Sequence, residues 1–591
     1  MAALRGLVLA LLVLSAAGPA FAASTVAAAP RALDALIADY ESWTLSDDPF
    51  EAGRRGDRDA LARLPDPTPA ADARRRAALS GFRERLARIP ASRLGPEAAL
   101  NRDFLDWTLS RRLASLDFDE ARMPFSSDGG FDQTLGYVAG GLPMRSEADA
   151  RAWIARLRAL PAYYDAHVAN ARRGAKAGFT QPRPTVLQVL ERARRAADLS
   201  PEADPLLAPL ARLPADLPQP LREALLADGR KALEEGVQPA RRRFVTFLES
   251  EYLPAARPEL GARSLPGGEA YYRWLAADHT TTALTPDQIH QIGLDEVARI
   301  RREMDGVMAE TGFKGDFPAF LALLRSDPRF YARSREELLE KASRIAKRID
   351  NELPAWFATL PRLTYGVRPV PADIEETYTT GRYFGGSAAR GVSGGYMVNT
   401  SRLDQRPLYE LPALTLHEAV PGHHLQIALA EEAAGVPDFR RNADVTAFTE
   451  GWGLYAEKLG GEMGIYRDPW ERFGRLSYEM WRACRLVADT GIHWKGWSLG
   501  QARACFTDNS ALSPLNIEVE LARYVSWPGQ ALAYKVGEMR IVALRETARR
   551  ELGDRFDIRR FHDAVLLAGP LPLDMLEARI KGWIEAERRR D

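Results

Sequence analysis

Apolar residues recur at spacings of three and four along most of the chain, which is the period of an amphipathic helix. The pattern is clear in the segments "RALDALIADYESW", "RRRAALSGFRERLARI" and "EADARAWIARLRALPAYYDAHVANARRGAKAG". A Pro-rich passage at 200–221 keeps regularly placed leucines, which favours short helices and loops over a flexible linker. The first part of the chain therefore predicts a lobe built from helices.

The helical pattern continues after residue 270 with one clear break. Thr285 is a predicted N-cap, and Pro286 follows it at the first helical position. Residues 377–401, "TYTTGRYFGGSAARGVSGGYMVNTS", combine Gly-rich loops with β-prone runs, which predicts one or two short strands. Since 591 residues exceed what one compact core holds, we expect a mainly α fold with two lobes, residues 23–269 and 270–591.

The first residues, "MAALRGLVLALLVLSAAGPAFAAS", have the pattern of a secretory signal peptide. Arg5 precedes an apolar run, and Ala20 and Ala22 form a small-x-small cleavage site, which predicts a signal peptide at 1–22. The alternative is a retained anchor, but the run is shorter than the ~20 residues that a membrane span needs. We therefore expect a periplasmic or secreted protein with no membrane span after cleavage.

The charge balance bears on the partners of the protein, and the cysteine content bears on its disulfide bonding. The chain has 80 Lys+Arg and 80 Asp+Glu with no long run of one sign, so we expect no nucleic-acid partner. Cys484 and Cys505 are the only two cysteines. In an exported protein they would either pair or remain structural thiols, and the sequence leaves both possibilities open.

Three histidines and a glutamate lie close together in "TLHEAVPGHHLQ", residues 415–426. In the common zinc-hydrolase helix, two His at i and i+4 bind the metal and the Glu after the first His is the general base. Here Pro421 occupies the i+4 position after His417. On an unbroken helix His423 would lie ~240° around the axis and His424 ~10.5 Å along it, too far to share an ion with His417.

The Pro-Gly pair between the histidines predicts a break in this helix. Pro421 cannot donate its backbone hydrogen bond, and Gly422 tolerates an unusual backbone conformation. Such a break would return either His423 or His424 to the ion of His417, and the sequence does not choose between them. The alternative, a structural cluster of histidines, explains the Pro-Gly pair less well because both residues weaken a helix.

A third ligand is predicted 33 residues after His417. The helix "ADVTAFTEGWGLYAEKLGGEMG" carries Glu450, and two His with one carboxylate leave an open position on zinc. Glu457 lies two turns further on nearly the same face, where it would orient a ligand His. Its alternative is a solvated surface charge.

Two more segments carry candidate catalytic groups. Arg485, Asp489 and His493 recur at i, i+4 and i+8, so Asp489 would orient His493, and His493 would donate to a developing oxyanion. Tyr534, in "YVSWPGQALAYKVGE", is a second candidate donor because a tyrosine hydroxyl is a common electrophile in such sites. The alternative for each of these residues is a structural role in packing.

The order of six segments resembles the bacterial family known as domain of unknown function 885, which is similar to the gluzincin metallopeptidases. The segments are "HTTTALTPDQIHQIGLDEVARI", "GGYMVNT", "TLHEAVPGHHLQ", "TEGWGLYAEKLG", "RLVADTGIHWKGW" and "YVSWPGQALAYKVGE". The resemblance implies a zincin-like fold with a small sheet beside the active site. It implies His417, Glu450 and one histidine of the Pro-Gly-His-His turn as metal ligands, Glu418 as general base, and His493 and Tyr534 as transition-state donors.

The same resemblance implies how a substrate would bind. "GGYMVNT" would be an edge strand that pairs with an extended peptide, and the predicted substrate-binding residues are Gly394, Gly395, Tyr396, Asn399 and Arg485. We therefore expect an exported metallopeptidase with one Zn²⁺ per chain and a peptide substrate. The alternatives are a hydrolase of non-peptide amides or esters on the same metal site and a non-catalytic binding protein with the same fold.

Overall fold

The structure is a computed structural model that describes residues 28–142, 144–372, 374–388 and 391–590. The predicted signal peptide at 1–22 lies outside the described residues. Within them, no helix is both long and apolar enough to cross a membrane.

Helices form the first half of the chain, as the apolar periodicity predicts. Their bounds are α1 Ala28–Asp47, α2 Pro49–Arg54, α3 Arg58–Leu61, α4 Pro69–Ala87, α5 Pro96–Phe118, α6 Phe131–Gly141, α7 Glu147–Ala177, α8 Arg183–Asp198, α9 Ala208–Ala211, α10 Gln219–Ala232, α11 Gln238–Phe247 and α12 Leu253–Ala255. The long α7 has a conventional start and end: the Ser146 side chain accepts from the backbone N–H of Asp149, and Gly178 follows with φ 70°.

Helices also dominate the second half. Their bounds are α13 Gly268–Thr280, α14 Pro286–Glu310, α15 Phe317–Ser326, α16 Arg335–Trp356, α17 Leu411–Glu418, α18 His423–Glu432, α19 Asp438–Arg441, α20 Thr446–Glu462, α21 Pro469–His493, α22 Leu499–Asn509, α23 Pro514–Ser526, α24 Ala533–Leu552, α25 Ile558–Leu566 and α26 Leu573–Arg588. The predicted N-cap is confirmed, since Thr285 and Gln288 form a capping box at the start of α14.

A three-stranded sheet lies between α16 and α17. Its strands are β1 Tyr365–Pro369, β2 Gly381–Phe384 and β3 Gly394–Val398, in the order β1-β3-β2. β3 pairs in parallel with β1 and antiparallel with β2. The predicted strands at 377–401 are therefore present, but β3 is the central strand, so the expectation that "GGYMVNT" forms an edge is wrong.

Two large hydrophobic clusters correspond roughly to the two halves of the chain. One is built from residues between 61 and 252. The larger is built from residues between 276 and 584 together with Phe104. The chain passes from one to the other near α13, and the domain boundary at 269/270 stays a prediction.

The two cysteines form a disulfide bond between α21 and α22. The Cα atoms of Cys484 and Cys505 are 5.7 Å apart, and the residues are separated by 21 positions. Of the two possibilities that the sequence left open, the structure therefore has the paired one.

Candidate metal centre

The helix that carries the first histidine ends just before the Pro-Gly pair. The backbone N–H of Ala419 donates to Thr415 at 2.9 Å, and the chain then turns through a cis Val420–Pro421 peptide bond. A Cβ on Gly422 would lie 1.9 Å from the carbonyl oxygen of His417, so only glycine fits there. The indole N–H of Trp452 donates to the carbonyl of Pro421 at 2.8 Å and fixes the turn.

This turn brings His423, rather than His424, to His417. The two rings are 4.7 Å apart between centroids and nearly perpendicular, at 87°. Glu450 reaches them from α20: its Oε2 lies 3.3 Å from Nε2 of His417 and 3.5 Å from Nε2 of His423. The sequence-predicted ligand set of two histidines and one carboxylate is thus brought together.

The spacing of these ligand atoms fits a bound zinc ion. One ligand atom from each of the three side chains lies within 4.8 Å of the others. Two ligands at ~2.0–2.1 Å from a tetrahedral ion are separated by roughly 3.4 Å, which is close to the two imidazole–carboxylate distances. The donor set and its spacing therefore suit Zn²⁺.

The charges around His417 also favour a cation. Burial opposes protonation of this imidazole, but Glu450 and Glu457 outweigh burial and raise its pKa to about 9. Burial likewise opposes ionisation of Glu450, yet His423 and His417 hold the pKa of that carboxyl well below its usual range. The carboxylates thus stabilise positive charge among these side chains, which is the electrostatic condition for binding a metal cation.

Two glycines of α20 allow this close assembly. A Cβ on Gly453 would lie 2.6 Å from Cε1 of His417, so the imidazole ring packs directly against the helix backbone. A Cβ on Gly451 would lie 2.5 Å from the backbone of Gly537, where α20 crosses α24. Tyr534, one turn before Gly537 in α24, lines the same cavity as Glu450.

A carboxylate and a guanidinium support His417 from behind. Nδ1 of His417 is 2.8 Å from Oε1 of Glu457, which leaves Nε2 for a metal, as the sequence predicted for Glu457. Arg482 contacts the same carboxylate oxygen at 3.2 Å. Sequence reasoning missed Arg482, although a buried carboxylate calls for a cationic partner and Arg482 lies one turn before Arg485 in α21.

His417, His423 and Glu450 open into a cavity of about 800 Å³. Glu418 and the three candidate ligands form part of its wall, and so does Tyr534. Helices of the first half complete the wall, with residues such as Tyr137 of α6 and Arg192 of α8. The site therefore lies in a cleft between the two halves of the chain.

The edge strand that faces this cavity is β2. Gly381, Arg382 and Tyr383 line the cavity, and β2 is an outer strand of the sheet. The N–H of Asn399 donates to the carbonyl of Thr380 at 3.0 Å. Since antiparallel pairs alternate, the backbone polar groups of Gly381 and Tyr383 point away from β3, toward the open edge.

The predicted substrate residues on and after β3 have structural roles instead. Gly394 and Gly395 lie in the central strand, and a Cβ on Gly394 would collide with the Tyr383 hydroxyl at 2.6 Å. Tyr396 is fully buried with its hydroxyl 3.2 Å from the Thr415 hydroxyl. The side-chain amide of Asn399 donates to three backbone carbonyls in the segment before β2, the residues Glu375, Tyr378 and Thr379. None of the four lines the cavity.

His424 is excluded as a ligand by its own hydrogen bonds. Its Nε2 lies 3.0 Å from the carbonyl oxygen of Leu363, and its Nδ1 lies 3.0 Å from the hydroxyl of Tyr383. Burial lowers the pKa of this imidazole to about 4, so the neutral ring donates from Nε2 and accepts at Nδ1. Its role is to tie α18 to the sheet.

The predicted catalytic role of His493 is also wrong. Its ring is buried; Nδ1 accepts from the N–H of Ala262 at 2.9 Å, and Nε2 donates to the carbonyl of Tyr524 at 2.8 Å. Asp489 does not orient it, because the Asp489 carboxyl accepts from the Tyr272 hydroxyl at 2.6 Å and from the N–H of Gly529. Burial raises the pKa of Asp489 to about 7 despite these hydrogen bonds.

Tyr534 is the predicted donor that does line the cavity. Its hydroxyl accepts a hydrogen bond of 3.1 Å from Nη2 of Arg523, so its own proton remains available to a substrate atom. The guanidinium of Arg485 lies 4.1 Å from the centre of its ring and packs against it. Arg523, which the sequence analysis missed, lies in α23, four residues before Trp527 of the Trp-Pro-Gly segment.

Two solved structures resemble this chain. One, described as "the putative lipoprotein from Colwellia psychrerythraea", has a TM-score of 0.89 and 28% sequence identity, and the match covers 94% of this chain and 99% of that one. Another, described as "a putative lipoprotein of unknown function" from Shewanella oneidensis, has a TM-score of 0.68 at 20% identity over 92% of this chain and 99% of that one, which shows a shared fold.

Sequence comparison gives the family. No protein with a curated description matches the sequence significantly. Residues 49–580 match the family described as bacterial protein of unknown function (DUF885), and this match spans most of the chain. The chain therefore belongs to the DUF885 family.

Proposed function

We propose that this protein is an exported zinc-dependent metallohydrolase that cleaves peptides, with a two-lobed zincin-like fold similar to that of the gluzincins. The observation that carries the proposal is the convergence of His417, His423 and Glu450 beside Glu418 on the wall of one large cavity. Two histidines and one carboxylate with an open position are a hydrolytic arrangement. A purely structural role for these groups would not require the adjacent general base.

His417, His423 and Glu450 would hold the ion, with one Zn²⁺ per chain. Bound there, the ion supplies Lewis acidity, which lowers the pKa of water and polarises a carbonyl group. The hydrogen bond from Nδ1 of His417 to Glu457 fixes the ring with Nε2 toward Glu450, where it would be free to bind the ion. Arg482 keeps the Glu457 carboxylate in place.

Glu418 and Tyr534 divide the proton chemistry between them. Glu418 accepts the proton of the attacking water at its carboxylate and later returns it to the leaving amine. The Tyr534 hydroxyl accepts from Arg523, so its O–H is free to donate to the oxygen of the scissile carbonyl as negative charge develops there. His493 has no part in this step because both of its nitrogens are bonded to backbone.

The open edge of β2 supports a peptide as the substrate. Gly381 and Tyr383 present backbone N–H and C=O groups at the cavity, which suits an extended chain that adds to the sheet. We therefore propose β2, rather than β3, as the strand that pairs with the peptide. A peptide also offers an amide bond on which the proposed roles of Glu418 and Tyr534 could act.

Export is supported by three observations. The first residues have the pattern of a signal peptide. The disulfide between Cys484 and Cys505 suits an oxidising compartment. Two solved proteins similar to this one are described as putative lipoproteins, and we propose a periplasmic or secreted location for this chain.

The test of the proposed function is Glu418→Gln on a library of short peptides. Turnover should fall by about 10²–10⁴-fold, because a general base is removed, while zinc content stays that of the wild type. Glu431→Gln, in α18, is the matched control and should keep full turnover. Full turnover by Glu418→Gln would contradict the mechanism.

A further inference from the structure

Two arginines share one carboxylate in the cavity wall. Nη2 of Arg485 lies 2.8 Å from Oε2 of Glu520, and Nη1 of Arg523 lies 3.6 Å from Oε1 of the same residue. All three side chains line the same cavity as His417, His423 and Glu450. Glu520 can neutralise only one of these two guanidinium groups.

Arg485 is held by the protein through two of its guanidinium nitrogens, while its Nη1 is buried without a hydrogen-bond partner among the described residues. Its Nε donates to the hydroxyl of Tyr524 at 2.9 Å, and its Nη2 donates to Glu520. Its guanidinium is enclosed between the rings of Trp481 and Tyr534, at 4.7 Å and 4.1 Å from their centres. Only 3% of its side chain is exposed, so Arg485 neutralises Glu520 and has little surface to offer a ligand.

Arg523 differs from Arg485 because its side chain is 18% exposed and only one of its three guanidinium nitrogens makes hydrogen bonds to the described residues. Its hydrogen bonds to described residues, to Gln530 and to Tyr534, both leave from Nη2. Nη1 and Nε come no closer than 3.6 Å to Glu520 and 3.9 Å to Asp128, beyond hydrogen-bonding distance. Arg523 therefore presents charged N–H donors to the cavity.

The position of Asp128 indicates that these N–H donors attract a carboxylate. Asp128 belongs to a loop of the first half of the chain that contacts α23 through Ser127, and its side chain is 48% exposed. Its carboxylate stops short of a hydrogen bond with Nε of Arg523. A carboxylate of the substrate would reach the guanidinium from the cavity and make the charge-assisted hydrogen bond that Asp128 does not.

We propose that Arg523 binds the free C-terminal carboxylate of the substrate, which makes the enzyme a carboxypeptidase that removes very short fragments. The proposal rests on the proposed function, since it takes Tyr534 as the donor to the scissile carbonyl. It assigns Arg523 as a specificity-determining residue.

The distance between Tyr534 and Arg523 sets the length of the fragment. The Tyr534 hydroxyl lies 3.1 Å from Nη2 of Arg523. With hydrogen bonds of about 3 Å to each end of the fragment, the scissile carbonyl and the terminal carboxylate would be at most about 9 Å apart along a path through Nη2, and slightly more if the carboxylate binds Nη1. An extended chain covers ~3.3–3.6 Å per residue, so one or two residues fit and a third would have to coil.

The direct test is binding of alanyl-leucine and of its C-terminal amide, measured by calorimetry. The free acid should bind the wild type at least about tenfold more tightly than the amide, because only the acid can pair with a guanidinium. Arg523→Gln should abolish this preference. Arg195→Gln, which replaces an exposed arginine of the same cavity paired with Glu191, should keep it.

Asp128→Asn provides a test that does not depend on the folding of the Arg523 variant. It removes the protein's own carboxylate from the guanidinium, so the acid should bind more tightly than in the wild type while binding of the amide is unchanged. Equal binding of acid and amide by the wild type, or a preference unchanged in both variants, would overturn the proposal.

Cleavage assays separate this proposal from the proposed function. Peptides with a free C-terminus should lose one or two residues, and the same peptides with an amidated C-terminus should be cut at least about tenfold more slowly. Equal cleavage of both would overturn the carboxylate site and leave the hydrolase intact. If zinc-loaded protein cleaves no peptide, the proposed function fails, and the dipeptide binding still decides the role of Arg523.

Discussion

At the scale of single residues, His417 is held at both ring nitrogens. Its Nδ1 is hydrogen-bonded to Glu457, and its Nε2 lies 3.3 Å from Oε2 of Glu450. The sequence predicted this arrangement because Glu450 and Glu457 are two turns apart on one helix face. It missed Arg482, whose contact with Glu457 bridges two helices that sequence spacing does not relate.

Glu457→Gln should weaken zinc binding by about 10–100-fold, the usual cost of losing a charged partner of a ligand histidine. Competition with a chromogenic chelator measures the affinity. Glu462→Gln is the control, because Glu462 lies on the same helix but pairs with Arg545. Unchanged affinity in Glu457→Gln would show that the carboxylate does not support the metal site.

Asp489 should make the stability of the fold depend on pH. Burial raises its pKa from 3.8 to about 7, so between these values the folded protein binds a proton that the unfolded chain releases. Raising the pH over this window therefore destabilises the fold, by up to about 1.4 kcal/mol per unit. The stability of Asp489→Asn relative to the wild type should rise from pH 4 to 7 and level off above.

Urea unfolding of the two proteins at several pH values measures this difference. The neighbours of Asp489 are the Tyr272 hydroxyl and the N–H of Gly529, neither of which titrates in this window. Parallel stability curves for the two proteins would contradict the assignment of a buried, protonated carboxyl.

At the scale of elements, a broken helix and a close helix contact build the site. The sequence predicted the break at Pro421-Gly422 because neither residue supports a helix interior. It could not choose between His423 and His424, since the choice depends on the backbone path through the turn. That path is fixed by remote contacts such as the indole of Trp452 on Pro421.

Gly453→Ala should disrupt the metal site without unfolding the protein. The new Cβ would lie 2.6 Å from the His417 ring, so the ring must move and zinc affinity should fall at least about tenfold. Gly461→Ala, on the same helix and with no atom near its added Cβ, should bind zinc normally. It should also stabilise the helix by roughly 0.5–1 kcal/mol. Equal zinc affinity in both variants would contradict the packing of His417 on α20.

The sequence predicted strands of the sheet but not their order. The β-prone runs predicted strands in residues 377–401, and both β2 and β3 lie there. The order of strands also depends on β1, which pairs with the far side of β3 and makes it the central strand. The assignment of Gly394, Gly395, Tyr396 and Asn399 to substrate binding failed for this reason.

At the scale of the whole molecule, the cavity joins residues from both halves of the chain. Asp128 and Arg192 of the first half share its wall with His417 and Tyr534 of the second. The sequence predicted a mainly helical chain and the residues of the His-Glu cluster, because the helices follow from local periodicity and the cluster from two short motifs. It could not predict that His493 is buried or that Arg523 faces the cavity, since both depend on contacts between distant segments.

The most direct test of the account is the metal content of protein purified without added metal, by elemental analysis. The wild type should hold about one zinc per chain, His423→Ala should lose it, and His424→Ala should keep it, because His424 bonds to Leu363 and Tyr383 instead. A wild type that takes up no zinc even when zinc is offered, or a His424→Ala variant that loses it while His423→Ala does not, would contradict the central claim.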